Sequence, residues 1–557
     1  MSVPTAELTA PAVAPDRGAA AAAVARQLHG GRLYLWLAAA AIAVGALSLL
    51  IPSTPSYDPW AWLVWGREII HVNLQTTGGP SWKPLPMIFT TLFAVFGKAQ
   101  PDLWLIIARA GAVMAVVMVF KMTMRFTRQL LGGAPEESAG ERSAILVPAL
   151  AGSVLAAASF AVSRGFISDN GLGYSEGLMT ALVLIAIDRH LDGARRQAFI
   201  VGFAAALDRP ELWPFFGVYG LYLWRSDRGA RALVACLFAL IPALWFLPEL
   251  WGSGHLFRGV SRANHPRSNS AAFARCPVCT EFTKHAWAAV LVRVKAVAIL
   301  AMAFAALGLW RARAGWWRGL RRRSLDAAEP RVRGRLGLIA CGALGFIWWL
   351  GISIETQLHF SGNDRYLVLG AALVTIAGGI GWGWLAHSAA AVLRRLAGPW
   401  LAQSGHDRRV QIVRGSAWAA ALGAAVVFVA LPPWLGASVP RTHRALVYQA
   451  HLREDMAKAV SDLGGSAKIL RCGTVMTEGF QVPMLAWNLG VHTLVVVASP
   501  LTDAQPGPPP NVIFQTRAQR NASLLPRLRD WPGVHYTRVA RVRTFRVYAS
   551  CRGNVTL

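Results

Sequence analysis

Apolar segments of about 17 to 25 residues recur along the chain, and short polar connections rich in arginine separate them. A helix needs roughly 20 apolar residues to cross a hydrocarbon core of about 30 Å. The pattern therefore predicts an all-α polytopic membrane bundle of about eleven transmembrane helices. The predicted spans cover residues 33–52, 104–124, 144–162, 174–189, 197–208, 210–224, 230–251, 287–310, 336–354, 366–387 and 416–436.

Two of these segments, 197–208 and 210–224, are short, and Asp208-Arg209-Pro210-Glu211 separates them. The connections before residue 197 and after residue 224 are both rich in arginine, which places the two ends of the pair on the same, cytoplasmic side of the membrane. We therefore expect a helical hairpin whose tip reaches the outer half of the bilayer.

The arginines mark alternate connections, as in membrane proteins whose cytoplasmic loops are positively charged. An odd number of spans that starts on the cytoplasmic side ends outside, so we expect a multi-pass plasma-membrane protein with an extracytoplasmic C-terminus. The arginines that define the cytoplasmic side are Arg125, Arg128, Arg195, Arg196, Arg225, Arg228, Arg231, the stretch Arg311–Arg335, Arg394, Arg395, Arg408 and Arg409.

Three regions follow from this pattern. Residues 1–32 are rich in Ala and Pro and lack periodicity, so they are predicted to be a disordered cytoplasmic tail. Residues 33–436 form the transmembrane domain, whose first outer loop, 53–103, carries two further helix-like segments. Residues 437–557 are predicted to be a small extracytoplasmic α/β domain, with strands near 494–497, 511–516 and 536–549.

Composition supports the membrane class and changes the interpretation of the charge. Hydrophobic residues make up 54% of the chain, charged residues 15%, and the mean hydropathy is +0.40. Soluble domains carry about a quarter charged residues. The net charge of +28 is typical of nucleic-acid binding, but here the basic residues follow the membrane topology, so no nucleic-acid partner is expected.

Four of the six cysteines fall in predicted outer segments. Cys472 and Cys551 lie in strand-like parts of the outer domain, where a disulfide is predicted because that compartment permits oxidation. Cys276 and Cys279 form a CPVC motif, which could be half of a redox or metal site, a local disulfide or two free thiols. The sequence has no second CxxC and no paired histidine nearby, which favours the last two interpretations.

The first outer loop combines an acidic residue with an apolar helical face. From Asp58, the spacing of Trp62, Trp65 and Ile69 gives a helix too polar to span, of the kind that lies in the membrane interface. Asp58 begins this helix. It is therefore a candidate reactive carboxylate, and equally a candidate helix cap.

A series of short motifs resembles the GT-C class of membrane glycosyltransferases, in particular the branch of protein O-mannosyltransferases, aminoarabinose transferases and RgtA-like proteins. The resemblance covers about residues 33 to 390. This chain has Asp58-Pro59 where the family often has an acidic pair, and Lys-Pro-Leu-Pro where the family has Lys-Pro-Pro. The matching segments are Asp58, Lys83-Pro84-Leu85-Pro86 with Phe96-Gly97, Arg109, Leu207-Asp208-Arg209-Pro210-Glu211 and Gly362-Asn363-Asp364-Arg365-Tyr366-Leu367.

The resemblance implies inverting transfer of a sugar from a polyprenyl-phosphate donor to an extracytoplasmic glycan, lipid or protein in cell-envelope assembly. Such a transfer needs a base for the acceptor proton and cations for the departing phosphate. Asp58 is the candidate base, and Lys83, Arg209 and Arg365 are the candidate phosphate ligands. Secondary candidates for acceptor or other contacts are Glu68, Asp169, Glu176, Glu211, His359 and Asp364. No cofactor is predicted with this chemistry, and the sequence does not decide whether a divalent metal takes part in it.

Each assignment has a structural alternative. Lysine and arginine at span ends commonly extend to the membrane interface without a ligand. An internal pair of Arg209 with Glu211 or Asp208 would satisfy the hairpin tip, and Asp169 would suit an exposed turn. At the level of function, the alternatives are a lipid-linked sugar flippase or other transporter, and a non-catalytic assembly protein.

Overall fold

Helices dominate the structure, a computed structural model that describes residues 17–132, 139–266, 270–311, 329–398, 400, 405–431, 438–500, 506–551 and 556–557. Within these residues, the α-helices of six or more residues are α1 (Arg17–Leu47), α2 (Tyr57–Ile70), α3 (Pro84–Ala94), α4 (Gln100–Leu131), α5 (Ala139–Ala161), α6 (Phe166–Gly171), α7 (Glu176–Leu191), α8 (Arg195–Ala206), α9 (Trp213–Ser226), α10 (Arg231–Ser253), α11 (Arg258–Ala263), α12 (Val292–Arg311), α13 (Pro330–Gln357), α14 (Val368–Leu396), α15 (His406–Ala430), α16 (Val439–Asp462), α17 (Ser466–Cys472) and α18 (Val482–Leu489).

Eight helices in the described part of the chain are long and apolar enough to cross a membrane, and each overlaps one predicted span. The polytopic membrane bundle is thereby confirmed. The other three predicted spans are α7, α8 and α9, with 16, 12 and 14 residues. At 1.5 Å per residue they reach about 18 to 24 Å, less than a typical hydrocarbon core, so the count of eleven crossings stays a prediction. The eight helices are Gly30–Leu50, Gly97–Leu131, Glu141–Ala161, Arg228–Ser253, Val292–Arg311, Pro330–Gln357, Asp364–Leu396 and Asp407–Ala430.

The N-terminal prediction requires a correction. Residues 1–16 of the predicted disordered tail lie outside the described part, but α1 begins at Arg17 and includes residues 17–32 in a helix. The alanine run from Ala19 explains this, because alanine has the highest intrinsic helix propensity. Most of the predicted cytoplasmic arginine stretch, 312–328, and the end of the last predicted span, 432–436, lie outside the described residues.

The centre of the bundle is α14, which is buried along most of its length between α5, α12 and α13. Small residues allow its close approach to α5. A Cβ atom on Gly152 of α5 would stand 2.3 Å from the carbonyl oxygen of Gly379 in α14. Backbones of membrane helices approach closely where glycine removes the side chain. This packing holds α14 in place, and Arg365 lies just before the first residue of that helix.

The C-terminal region combines helices α16 to α18 with a sheet, as predicted. The strand order is β2-β1-β3-β6-β5, with β4 paired to β3, and β1 is parallel to β2 and β3. Three predicted strand segments correspond to β2, β3 and the β5–β6 pair, whereas β1 and β4 were not predicted. A disulfide joins Cys472, at the end of α17 and not in a strand, to Cys551 just after β6. The strands are β1 (Val475–Thr477), β2 (Val496–Ala498), β3 (Val512–Arg517), β4 (Leu524–Leu525), β5 (Thr537–Arg541) and β6 (Arg546–Ala549).

The first outer loop contains the two expected helices, α2 and α3, and α2 packs against the C-terminal region. Trp60, Trp62 and Trp65 are at most 2% exposed, and the ring of Trp60 lies 5.4 Å from that of Trp487 in α18. The apolar face that was expected to meet the membrane interface is therefore used for protein packing. This contact fixes α2, and with it Asp58, between the membrane helices and the sheet.

Candidate active site

A cavity of about 690 Å³ lies where the N-terminal ends of α2, α7 and α14 meet the tip of the α8–α9 connection. Segments distant in sequence supply its charged walls, and the C-terminal region adds Phe480 to its rim. The candidate residues that line it are Asp58, Lys83, Asp169, Arg209, Asp364 and Arg365.

Asp58 faces Arg365 across this cavity. Ser56 occupies the N-cap position of α2, so Asp58 lies in the first turn of the helix and is not its cap. Arg365 Nη2 donates a hydrogen bond to Asp58 Oδ2 at 2.5 Å. The guanidinium of Arg365 also stacks over the ring of Tyr174, 4.0 Å from its centroid. The carboxylate and the nearest cation of the proposed chemistry thus form an ion pair.

Glu176 draws the three predicted phosphate ligands together. Its Oε1 lies 2.7 Å from Arg209 Nη2, 3.2 Å from Lys83 Nζ and 3.6 Å from Arg365 Nε. Glu176 itself is 2% exposed and lies behind the cavity wall. A buried carboxylate of this kind holds cations that would otherwise repel one another. The role of Glu176 in the structure is therefore to position the cations.

Arg209 is held from several sides. Its Nη1 lies 3.1 Å from Glu211 Oε1, the internal pair considered above, and its guanidinium stacks 3.5 Å over the ring of Tyr366. Asp208 Oδ2, close to the same tip, lies 3.9 Å from Lys83 Nζ. Arg209 therefore has its charge matched within the protein. Each of the three cations has two acidic partners, but the side chain of Arg209 is 3% exposed, against 11% for Lys83 and 12% for Arg365.

Two further acidic candidates border the cavity. Burial raises the pKa of Asp169 to about 7, although the nearby Arg365 opposes this shift. Asp364 Oδ1 lies 3.2 Å from His285 Nδ1, and Arg164 Nε approaches its other oxygen at 3.7 Å. The hydrogen bond with Glu281 is the main cause that raises the pKa of His285.

Three candidates lie away from the cavity. Glu68 contacts His492 of the C-terminal region at 2.8 Å and accepts a hydrogen bond from the backbone N–H of Gln75, and burial raises its pKa. His359 is exposed just after α13, with a backbone φ of 70°. Glu211 pairs with Arg209 outside the lining. Glu68 and His359 are therefore not among the residues that line this cavity, and the contact roles expected for them stay predictions.

The cavity is also lined by residues to which the sequence analysis assigned no role. Tyr174 and Tyr366 provide rings under the guanidinium groups, and His285 and Phe480 line the wall. Tyr366 directly follows Arg365, and that adjacency is a signal the sequence carries. Within the described residues, no group of three or more His, Cys, Asp and Glu side chains could hold a metal ion.

The cavity and the arginine-rich connections lie at opposite ends of α7. Glu176 begins this helix at the cavity, and Asp188, near the other end, pairs with Lys121 and Arg125. Sixteen residues of helix separate these ends by about 24 Å. The cavity therefore opens on the face opposite to the arginines.

The structure is similar to that of ArnT. One solved structure, ArnT from Cupriavidus metallidurans in the apo state, is 13% identical with a TM-score of 0.47, and a second, bound to undecaprenyl phosphate, is 12% identical with a TM-score of 0.44. Each alignment covers 93% of this chain and 98% of ArnT. No protein-family model matches the chain, and no curated protein matches it.

Proposed function

We propose that this protein is an inverting glycosyltransferase that moves a sugar from a polyprenyl-phosphate donor to a hydroxyl group of an extracytoplasmic acceptor. The observation that carries the proposal is the Asp58–Arg365 pair, which exposes a carboxylate and a guanidinium to one cavity at the ends of membrane helices. Lys83 lines the same cavity and supplies a second cation.

The chemistry follows from this pair. The acceptor oxygen attacks the anomeric carbon, the bond from that carbon to the phosphate oxygen breaks, and the phosphate leaves with the bonding electrons. Asp58 takes the acceptor proton as general base. A single displacement of this kind inverts the anomeric configuration.

The pairing of Asp58 with Arg365 couples the two halves of the reaction. Before the reaction, the Asp58 carboxylate balances the Arg365 charge at 2.5 Å. Once Asp58 carries the acceptor proton, it is neutral, and Arg365 is free to stabilise the negative charge that develops on the departing phosphate. Electrostatic stabilisation of this kind acts where charge appears in the transition state.

Glu176 contributes by position. It holds Lys83, Arg209 and Arg365 within 3.6 Å of one carboxylate oxygen. All three cations border the cavity, and Lys83 and Arg365 are the more exposed, so a phosphate group at the membrane surface could meet both. Arg209, whose side chain is 3% exposed, would act by holding the wall of the cavity in shape.

The side of the membrane follows from the charge distribution. The cavity lies at the end of α7 opposite to Lys121 and Arg125, and arginine-rich connections are typical of the cytoplasmic face. We therefore place the reaction at the outer face of the plasma membrane, with the C-terminal region also outside. The acceptor would be a cell-envelope glycan, lipid or protein.

The test uses the full-length protein in membranes supplied with a panel of radiolabelled polyprenyl-phosphate sugars. We expect Asp58→Asn to reduce sugar transfer by about 10²–10⁴-fold, the usual contribution of a general base. The matched control is Asp102→Asn. Asp102 also pairs with an arginine, Arg453, at 2.6 Å, but it lies outside the cavity lining, so transfer should stay within a few-fold of the parent protein.

Two outcomes would contradict the proposal. The first is transfer that survives Asp58→Asn at the level of the Asp102→Asn control. The second is a parent protein that moves intact lipid-linked sugar across the membrane without transferring the sugar to any acceptor, as a flippase would.

A further inference from the structure

The outer segment between α11 and α12 contains a second disulfide, Cys276–Cys279, with the two Cα atoms 5.3 Å apart. It closes the first turn of a helical segment that runs from Pro277 to Ala289. Cys279 is exposed and Cys276 is partly exposed. An external thiol can therefore reach this disulfide from solvent.

The other disulfide of the described chain provides an internal contrast. Cys472 is fully buried, and its bond to Cys551 links residues 79 positions apart. A disulfide that closes a long loop restricts the unfolded chain strongly, whereas one that closes three positions restricts it little. Exposed disulfides are the ones that exchange readily with external thiols. The two bonds should thus differ in function, with Cys472–Cys551 structural and Cys276–Cys279 exchangeable.

The exchangeable bond begins a short path of contacts to the cavity. Thr280 N–H donates to Cys276 O at 2.9 Å, and Thr283 Oγ1 donates to Cys279 O at 2.7 Å. The π-helical turn Thr280–Ala286 follows, a rare conformation that is frequent at functional sites.

That turn carries the side chains that reach the cavity wall. Glu281 Oε2 lies 2.8 Å from His285 Nδ1, and the same nitrogen lies 3.2 Å from Asp364 Oδ1. His285 and Asp364 both line the cavity. The disulfide thus closes the turn that directs His285 towards Asp364.

We propose that Cys276–Cys279 is a thiol–disulfide exchange site for a dithiol reductant, and that its reduction loosens the turn that holds His285 at the cavity. A thiolate of the reductant attacks Cys279 Sγ, the exposed sulfur, and the bond between the two cysteine sulfurs breaks. Cys276 leaves as a thiolate and takes a proton. The second thiol of the reductant then displaces Cys279, so that two electrons pass to the protein and the reductant becomes a disulfide.

The first test measures the order of reduction. The purified full-length protein, in a Cys236→Ser background that removes the exposed free cysteine, is titrated with dithiothreitol and alkylated with a mass tag. We expect Cys276 and Cys279 to become labelled at a dithiothreitol concentration at least tenfold below that required for Cys472 and Cys551. Labelling of all four at one concentration, or of Cys472 and Cys551 first, would overturn the assignment.

The second test measures whether reduction of the Cys276–Cys279 disulfide loosens the turn Thr280–Ala286. Amide hydrogen exchange is compared between the oxidised protein, the selectively reduced protein and Cys276→Ser/Cys279→Ser. Peptides that cover residues 277–289 should exchange faster in the reduced protein and in the double variant, while peptides from α17 and β6 should not change. Equal exchange of residues 277–289 in all three samples would refute the coupling to His285. Neither test depends on the proposed glycosyltransferase activity.

Discussion

Glu176 accepts a hydrogen bond from Arg209 at 2.7 Å, and both side chains are 3% exposed. Lys83 and Arg365 approach the same oxygen from the first outer loop and from the N-terminal end of α14. Four segments of the chain therefore meet at one carboxylate. A buried charge with its partners in place changes the free energy of unfolding little. Loss of one partner lowers it, because the remaining buried charges are then uncompensated.

Glu176→Gln should accordingly destabilise the protein by about 3–5 kcal/mol, the usual cost of breaking a buried ion pair. The free energy of unfolding would be measured in detergent. Glu454→Gln is the matched control, because Glu454 pairs with Arg543 at 2.8 Å but is 64% exposed. Exposed pairs contribute about 0–1 kcal/mol. A loss for Glu176→Gln no larger than the control would mean that the cations do not need their shared carboxylate.

The Asp58–Arg365 pair predicts energetic coupling across 307 positions of sequence. Asp58→Asn and Arg365→Gln should each destabilise the protein, and the double variant should lose less than the sum. The coupling energy of such contacting pairs is about 0.5–3 kcal/mol, measured as a double-mutant cycle in the free energy of unfolding. The cycle on Asp102 and Arg453, a more exposed pair, should give a smaller coupling. Additive effects at Asp58 and Arg365 would show that the contact is not energetically formed.

Sequence patterns predicted the membrane helices well because each depends on local composition. A run of about 20 apolar residues is sufficient evidence for a span, and all eight long helices of the described chain overlap a predicted one. Strand β1 was missed for the opposite reason. Strand β1 has only three residues, Val475–Thr477, too few to show an alternating apolar pattern. It forms because β2 and β3 pair with it on its two sides.

The site was predicted in part for a similar reason. Motifs identified Asp58, Lys83, Arg209 and Arg365. Glu176 was named only as a secondary candidate, and its role as the shared partner of the cations was not predicted, because it lies 33 positions from Arg209 and 93 from Lys83. Contacts over such distances depend on helix packing. Glu68 lies outside the cavity lining because ten residues of α2 move it about 15 Å along the helix axis from Asp58.

Glu68→Gln is therefore expected to leave sugar transfer within about threefold of the parent protein. Glu68 lies outside the cavity lining and contacts His492 at 2.8 Å. The substitution should instead weaken the contact between α2 and the C-terminal region, which would lower the thermal midpoint. His492→Gln, which removes the other side of the same contact, should have a similar effect on both quantities. A fall in transfer comparable with that of Asp58→Asn would assign Glu68 to the chemistry.

Asp169 makes stability depend on pH. Burial raises its pKa to about 7 in the folded protein, from an ordinary value of 3.8 for an exposed aspartate. Between these values the folded chain keeps a proton that the unfolded chain has lost. The contribution of Asp169 to the free energy of unfolding is therefore complete below about pH 4 and falls as the pH rises to about 7.

Asp169→Asn removes this titration. The free energy of unfolding of the variant, relative to that of the parent protein, should therefore increase from pH 5 to pH 8. Thermal unfolding in detergent at both pH values measures the change. Asp227→Asn is the control, because a hydrogen bond from Arg196 lowers the pKa of Asp227. Asp227 is thus ionised throughout this interval in the folded protein, and its replacement should have nearly the same effect at pH 5 and pH 8. If the Asp169→Asn difference is also constant, the carboxyl is already charged at pH 5, and Arg365 outweighs burial at this position.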